Sequence, residues 1–139
     1  MIHSSNTVWP HKKTVVKSYA VQSIPIQTKV KLNFTQKQEM IFITQLVYIK
    51  EGQESVFHHF EDIAIPTISK YNGRLLLRVR PTENTFIEHY IEPPYEIHLI
   101  EFDDEQDFEN FKQDDERKKF LHLKDQSIQS VLLIKGTKL

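Results

Sequence analysis

Apolar residues recur at regular intervals along most of the chain after residue 39, and the interval changes several times. Over residues 40–50 both alternating faces are mainly apolar, which is typical of a strand covered on two sides. Residues 54–71 instead repeat apolar side chains at spacings of three and four, which predicts an amphipathic helix. The residues of that stripe are Phe57, Phe60, Ala64, Ile68 and Tyr71. Pro66 should kink or split this helix, and Gly73 fits the left-handed position just past its end.

Three more strands and a second helical region follow. The alternation of side chains predicts strands over residues 74–80, 95–102 and 128–135. Acidic residues at 103–105 suit the start of a helix, and a second acidic group at 114–116 divides that helical region into two pieces. The order β-α-β-β-α-β predicts an α+β, ferredoxin-like fold, in which helices cover one face of a four-stranded sheet.

The second face of this sheet has no helix to cover it. A sheet face that meets water normally carries polar side chains, but residues 40–50 and 128–135 are apolar on both faces. We therefore expect the same face of a second copy to cover it, so the pattern predicts a homodimer.

Residues 1–38 differ from the rest of the chain in charge, and we expect them to form an N-terminal extension to a domain over residues 39–139. Residues 29–34 alternate apolar and polar side chains, and residues 14–21 are rich in β-branched ones, so the extension contains one or two predicted strands. It holds six lysines and no acidic residue, although the whole chain has a net charge of −1. Because these lysines are scattered and lack arginine companions, we expect the extension to pack on its own body or on a partner, and we expect no nucleic-acid partner.

Composition excludes several classes of protein. A chain of 139 residues with 39% hydrophobic residues is long enough for one globular domain with a core of its own. The absence of cysteine excludes a disulfide scaffold and thiolate metal sites. No apolar run approaches the roughly 18 residues that span a bilayer, and the N-terminus lacks a signal-peptide core. These features predict a cytoplasmic protein without membrane association.

The junction between the first helix and the second strand carries a family resemblance, as does the third strand. Residues 66–74 read Pro-Thr-Ile-Ser-Lys-Tyr-Asn-Gly-Arg, and residues 97–102 read Ile-His-Leu-Ile-Glu-Phe before an acidic helix start. Together with the later aromatic pair Phe108 and Phe111, these pieces make residues 40–135 resemble the DUF1330 family of the dimeric α+β barrel superfamily.

The resemblance implies a homodimer in which two four-stranded sheets face each other as a barrel. It implies no catalytic residues, because the function of the DUF1330 family is unknown. Relatives in the superfamily include cofactor-free monooxygenases, haem-degrading enzymes, polyketide cyclases and stress-response proteins, and they often hold a small ligand between sheet and helices. The N-terminal extension has no counterpart in the bare domain. Asn72 stands where a second glycine is usual, although asparagine tolerates the same backbone region.

The second predicted strand offers the best candidates for ligand binding. Alternation places Arg74, Arg78 and Arg80 on one side of the strand, and guanidinium groups aimed into a pocket bind a carboxylate or phosphate bidentately. Arg74 and Arg78 are the predicted ligand-binding residues. The alternative is that these arginines form ion pairs across the sheet with Glu96 or Glu101.

His98 and Glu101, on the third predicted strand, are the candidates for catalysis. A histidine between apolar neighbours could act as a general base near neutral pH, although a buried histidine more often holds a hydrogen bond to a neighbour. Glu101 matches the acidic position of the family's Ile-Glu-Phe piece. An ion pair, for example with Arg74, is its more common role, and catalysis comes second.

Acidic and histidine residues cluster on the first predicted helix. His58 and Asp62 have the i, i+4 spacing of half a metal site, but no second half such as His-x-x-Glu is present in the sequence. We interpret the cluster, which includes Glu61, as a solvated helix face. We expect neither a metal nor a cofactor.

The sequence supports three hypotheses for function. The first is a homodimeric barrel that binds a small anionic or aromatic molecule. The second is a cofactor-independent enzyme of the oxygenase, isomerase or cyclase type, with His98 or Glu101 as its base. The third is an interaction module whose basic N-terminal extension docks on another chain. The first is favoured because the residue pattern supports the fold, whereas it contains no complete catalytic set.

Overall fold

Four strands and four helices make up the part of the chain that the structure, a computed structural model, describes: residues 39–139. The strands are β1 (Ile41–Ile49), β2 (Gly73–Val79), β3 (Glu96–Phe102) and β4 (Ile128–Gly136). The helices are α1 (Glu54–Thr67), α2 (Glu105–Lys112), α3 (Asp115–Lys119) and α4 (Leu121–Ser127). Short 3-10 turns cover Ile68–Tyr71 and Glu83–Thr85. This order confirms the predicted ferredoxin-like α+β fold, with three short helices where two pieces were predicted.

The predictions on residues 1–38 lie outside the described residues. They concern the strands of the extension, its packing and its boundary with the domain at residue 39. Within residues 39–139, no helix is long and apolar enough to cross a membrane.

The four strands form one antiparallel sheet in the order β2-β3-β1-β4. Residues that lie opposite each other on neighbouring strands share a face of the sheet. One face contains Ile43, which lies opposite Ile100 of β3, and we call it the inner face. The outer face contains Thr44, which lies opposite Leu99 of β3 and Ile134 of β4. The two faces of β1 are therefore the ones that alternation predicts.

The helices pack on the inner face, where the core lies. α1 buries Phe57 and Phe60, three residues apart on one side of the helix. The rings of Phe108 and Phe111 from α2 lie 5.4 and 5.5 Å from the ring of Phe102 on β3. Burial of each such side chain contributes on the order of 1.5–3 kcal/mol, so this aromatic cluster holds α2 on the sheet.

The junction between α1 and β2 corrects the predicted role of Gly73. α1 passes through Pro66 and ends at Thr67, and the chain then tightens into a 3-10 turn. Asn72, rather than Gly73, adopts the left-handed conformation that ends this turn, with a φ of 57°. Gly73 begins β2, and a Cβ there would lie 2.6 Å from Cε1 of Phe102. Glycine is therefore required for close packing, while the short polar side chain of asparagine tolerates the left-handed region.

A bulge in β2 separates two of its arginines. The register with β3 shifts around Leu76, so that Arg74 lies opposite Glu101 and Arg78 lies opposite His98. Since Glu101 and His98 are three residues apart on β3, they occupy opposite faces, and so do the arginines. The prediction that Arg74 and Arg78 share one side is wrong, because the extra residue of a bulge turns every later side chain to the other face.

The outer face carries exposed aliphatic side chains. They include Leu77 and Val79 of β2 and Leu132 and Ile134 of β4, which keep between 38% and 51% of their surface exposed. These side chains lie on the face opposite the helices, where the sequence pattern places an apolar surface.

Candidate functional site

A cavity of about 270 Å³ lies between the inner face and the helices. Aliphatic and aromatic side chains form most of its wall, among them Val47, Ile100 and Phe60. Six polar side chains also line it: Gln45, Glu61, His98, Lys112, Arg117 and Lys124. Because only one of these is acidic, the polar groups of the wall are mainly cationic or neutral.

His98 is the sequence-predicted candidate that lines this cavity. It lies on the inner face and is 2% exposed. Its Nε2 lies 2.9 Å from Oε1 of Glu96, and its Nδ1 lies 3.9 Å from Oε2 of Glu61. A neutral imidazole that donates Nε2–H to Glu96 keeps a lone pair on Nδ1, on the side of Glu61. The hydrogen bond expected of a buried histidine is present, and the same ring has a nitrogen that can accept a proton.

Glu96 is the first residue of β3, and it is buried among several hydrogen-bond donors. It is 1% exposed and accepts hydrogen bonds from His98, from Nε of Arg78 at 2.8 Å and from Nε of Arg80 at 3.1 Å. Burial by itself would raise the pKa of Glu96, but these hydrogen bonds outweigh burial and lower the pKa to about 2. Glu96 is therefore a carboxylate at neutral pH and orients the imidazole of His98.

The network continues toward the surface through Arg80 and His58. Nη2 of Arg80 lies 2.9 Å from Nε2 of His58, and Oη of Tyr95 lies 2.8 Å from the same nitrogen. The rings of His58 and Tyr95 are stacked. His58, whose spacing to Asp62 resembles half a metal site, is thus engaged with these two neighbours. Within residues 39–139, no group of three His, Cys, Asp or Glu side chains is arranged to hold a metal ion.

Glu61 is a cavity residue that the sequence interpretation missed. The interpretation of its cluster as a solvated helix face is wrong for this residue, which is 7% exposed. Burial raises the pKa of Glu61, while the neighbouring positive charges of Arg78 and Arg117 act in the opposite direction. Helical spacing contained the signal, because Glu61 lies four residues after the buried Phe57 and therefore on the same side of α1.

Arg117 of α3 brings a guanidinium group to the cavity wall. Its Nη1 donates to the carbonyl oxygen of Lys112 at 3.2 Å. Its guanidinium carbon lies 5.1 Å from the ring centre of Phe111 and 5.9 Å from that of Phe60. Its Nε is buried and has no hydrogen-bond partner within residues 39–139. Burial lowers the pKa of Arg117, with the charge of Glu61 opposing it, and the group stays cationic at neutral pH.

Arg74 and Glu101 lie on the outer face, away from the cavity. Nε of Arg74 donates to Oε1 of Glu101 at 2.6 Å, so the pairing expected from the sequence is present. Arg78 lies on the inner face but pairs with Glu96 and is not among the residues that line the cavity. The assignments of Arg74 and Arg78 to ligand binding, and of Glu101 to catalysis, stay predictions.

The fold is similar to those of several solved structures. A protein of unknown function from Rhodopseudomonas palustris is 10% identical, with a TM-score of 0.63 over 84% of this chain and 95% of that one. A dimeric protein of unknown function with a ferredoxin-like fold, from Bacteroides fragilis, is 14% identical, with a TM-score of 0.55 over 74% and 100% of the two chains. A NIPSNAP family protein of unknown function from Agrobacterium tumefaciens is 17% identical, with a TM-score of 0.54 over 74% and 91%.

At identities of 10% to 17%, these likenesses show the fold alone. No family model matches the chain, and no curated protein matches it. The ferredoxin-like fold is therefore shown, whereas the resemblance to DUF1330 is not confirmed at the level of the family.

Proposed function

We propose that the chain is a homodimeric ligand-binding protein of the DUF1330-like, dimeric α+β barrel type, and that its cavity takes a small anionic or aromatic molecule. The observation that carries the proposal is the cavity between the inner face and the helices, whose wall is mostly apolar and whose six polar side chains include three cations and one carboxylate. Small-molecule sites are usually apolar pockets with a few convergent polar groups, as here.

The volume of the cavity limits the size of its ligand. A dry cavity of about 150 Å³ is sufficient for benzene, and larger ligands occupy pockets of about 300–1,000 Å³. At about 270 Å³, this cavity has room for a molecule with one aromatic ring or with two fused rings. Phe60, Phe108 and Phe111 contribute to the wall, and an aromatic ligand would pack against them.

A second copy of the chain is the proposed cover of the outer face. Its exposed aliphatic side chains, Leu77, Val79, Leu132 and Ile134, favour association because their burial removes apolar surface from water. A two-fold dimer brings the same surface of both copies together, so an apolar face meets an apolar face. One of the structurally similar proteins is described as dimeric, which supports this assembly. The cavity lies on the other side of the sheet, within each copy.

Filling the cavity tests the proposal. Ala64 lines the cavity and is 6% exposed, so Ala64→Leu adds apolar volume inside it. We expect the wild-type protein to bind 2-naphthoate or the neutral 2-naphthamide in ligand-observed NMR, and Ala64→Leu to bind neither. Ser69→Leu adds comparable volume at an exposed position and should leave binding unchanged. Binding that persists in a folded Ala64→Leu variant would contradict the proposed site.

A cofactor-independent enzyme of the oxygenase, isomerase or cyclase type is the second candidate, and His98 favours it. Glu96 holds one ring nitrogen of His98, and the other nitrogen faces Glu61 at the cavity wall. Such an imidazole can remove a proton from a bound molecule, whereas Glu101 lies on the outer face. In deuterated water we expect the protein to accelerate exchange of the methylene protons of phenylpyruvate, which lie next to its ketone. His98→Asn should abolish this effect. No acceleration over buffer would count against this function.

The third hypothesis, an interaction module that uses the basic extension, stays a prediction. The residues it depends on, 1–38, lie outside the described part of the chain. The domain boundary at residue 39 and the cytoplasmic location are likewise predictions from the sequence.

A further inference from the structure

We infer that Arg117 is the anchor for the acidic group of the cavity's ligand, and that the ligand is an apolar monoanion with one or two rings, such as an aromatic monocarboxylic acid. This inference rests on the proposed function, because it specifies what the cavity takes and which residue selects it. It also differs from the sequence prediction, since neither Arg74 nor Arg78 lines the cavity.

Arg117 has a hydrogen-bond donor that no acceptor of the described residues uses. Nε of Arg117 is buried and has no acceptor within residues 39–139, whereas Nη1 donates to the carbonyl oxygen of Lys112. A buried donor of a charged group that lacks an acceptor destabilises a folded chain, so such donors are rare in proteins. Because Arg117 lines the cavity, a carboxylate bound there can supply the acceptor, and guanidinium groups bind carboxylates through two parallel N–H donors.

The charged side chains around the cavity also favour an anionic ligand. Arg78 and Arg80 both pair with Glu96. Arg117 forms no ion pair with a carboxylate of residues 39–139. Two lysines line the same cavity: Lys112 pairs with Glu109, whereas Lys124 has no carboxylate partner within residues 39–139. Arg117 and Lys124 are thus two unpaired cations in a wall that has one carboxylate, Glu61, so positive charge is in excess. A single negative charge on the ligand would offset part of this excess, and the apolar remainder of the wall favours an otherwise uncharged molecule.

Glu61 is the acidic side chain of the cavity wall, and it would compete with a bound anion for the positive charge of Arg117. The two charges interact, because Glu61 opposes the effect of burial on the pKa of Arg117, but they do not form an ion pair. Burial raises the pKa of Glu61, so a negative charge at this position is unfavourable. A bound anion and an ionised Glu61 would repel each other. We therefore expect Glu61→Gln to bind an anionic ligand more tightly than the wild type does.

Its neighbours hold Arg117 in place before a ligand arrives. Oδ1 of Asp114 accepts a hydrogen bond from the backbone N–H of Arg117 at 2.8 Å, which stabilises the first turn of α3. The guanidinium group lies near the rings of Phe60 and Phe111. An anchor held in this way loses little freedom on binding, and the adjacent rings suit the aromatic part of a ligand.

The test compares 2-naphthoate with 2-naphthamide, which have the same rings and differ in the negative charge. At pH 7 we expect the wild-type protein to bind the acid about tenfold more tightly, or better, in isothermal titration calorimetry, because hydrogen bonds to charged groups contribute that much. Arg117→Met should reduce this preference to about twofold or less and leave the Kd of the amide unchanged. Lys118→Met removes the same charge from an exposed position on the same helix and should leave the preference intact.

The outcomes separate this inference from the proposed function. Equal affinity of the wild type for acid and amide, or a preference that survives Arg117→Met, overturns the inference and leaves the binding cavity in place. If the wild type binds neither compound, the proposed function fails and the inference fails with it. Arg117→Lys keeps the charge but loses the planar fork, so it should show a reduced preference for the acid. It serves as the second variant if the thermal transition of Arg117→Met shows poor folding.

Discussion

The two faces of the sheet differ in exposure to water and in the kind of side chain that they carry. The inner face, under the helices, carries Glu96 and His98, which are 1% and 2% exposed. The outer face carries aliphatic side chains such as Leu132 and Ile134, which are 49% and 51% exposed. Buried charge and exposed apolar surface are both unfavourable in a lone chain. The proposed function accounts for both features, since it places a small molecule on the inner side of the sheet and a second copy on the outer face.

Hydrogen-bonded partners explain how the inner face tolerates its charges. Glu96 accepts from His98 and from two arginines, so its carboxylate is well satisfied. On the outer face, Glu101 has one arginine partner, Arg74, whose side chain is 73% exposed. Loss of one member of a buried set leaves the others uncompensated. Glu101 is itself 6% exposed, but its partner Arg74 is mostly exposed, so water can solvate Arg74 when Glu101 is replaced. The inner carboxylate should therefore contribute more to stability than the outer one.

The largest expected effect is that of Glu96→Gln. It leaves Arg78 and Arg80 without their shared counter-charge, and we expect the free energy of unfolding to fall by about 3–5 kcal/mol. Glu101→Gln is the matched substitution on the outer face and should lower it by about 1 kcal/mol or less. Urea denaturation followed by circular dichroism measures both values. Similar losses for the two variants would show that the faces do not differ in this respect.

Acid should remove the contribution of Glu96 without a substitution. The pKa of Glu96 is about 2 in the folded chain, against an ordinary value of 4.5. Its contribution to stability is therefore present above about pH 4.5 and is lost as the pH falls toward 2. We expect the difference in unfolding free energy between wild type and Glu96→Gln to shrink over this range. A difference that does not change with pH would contradict the hydrogen bonds assigned to Glu96.

Glu61 of α1, which lines the cavity against the inner face, should change stability with pH in the opposite direction. Because burial raises the pKa of Glu61, the folded chain holds its proton more tightly than the unfolded chain does. Stability attributable to Glu61 therefore falls as the pH rises through the raised pKa. Subtracting the pH profile of Glu61→Gln from that of the wild type isolates this decline.

The apolar character of the outer face is tested by Leu132→Glu. In sedimentation velocity at micromolar concentration we expect the wild type to be a dimer and this variant to be a monomer. A charge placed in an apolar interface should cost about 2 kcal/mol or more. Gln113→Glu adds the same charge at an exposed position off the sheet and should leave the dimer intact. A wild-type monomer at this concentration would refute the proposed assembly.

A smaller effect separates two glycines on opposite faces. Gly73 lies opposite Phe102 on the inner face, and Gly136 lies opposite Phe42 on the outer face. A Cβ at Gly73 would lie 2.6 Å from Phe102, so Gly73→Ala should lower the unfolding free energy by about 1–3 kcal/mol. A Cβ at Gly136 meets no atom of the described residues within 4 Å, and Gly136→Ala should change stability by about 0.5 kcal/mol or less. Equal thermal shifts for the two variants would contradict the close packing at Gly73.

The candidate site could be predicted from the sequence only in part. His98 is recognisable because it interrupts an apolar strand, and the pairing of Arg74 with Glu101 follows from two adjacent predicted strands. No feature of the sequence distinguishes Arg117, because it lies in a short helix in which every residue is charged. Its neighbour Lys118 is exposed, whereas Arg117 lies against Phe111 at the cavity wall. Only the path of the chain from α2 into α3 distinguishes the two.

The sequence by itself determined the elements, their order and the apolar nature of the outer face. These depend on the spacing of side chains along the chain, which is a local property of helices and strands. The tertiary structure decided which face each arginine of β2 occupies. The bulge around Leu76 adds one residue to the strand, and the pattern of apolar and polar residues in the sequence gives no sign of it. The tertiary structure also decided the presence of a cavity, because a cavity depends on how well the helices fit the sheet, and no single stretch of residues encodes that fit.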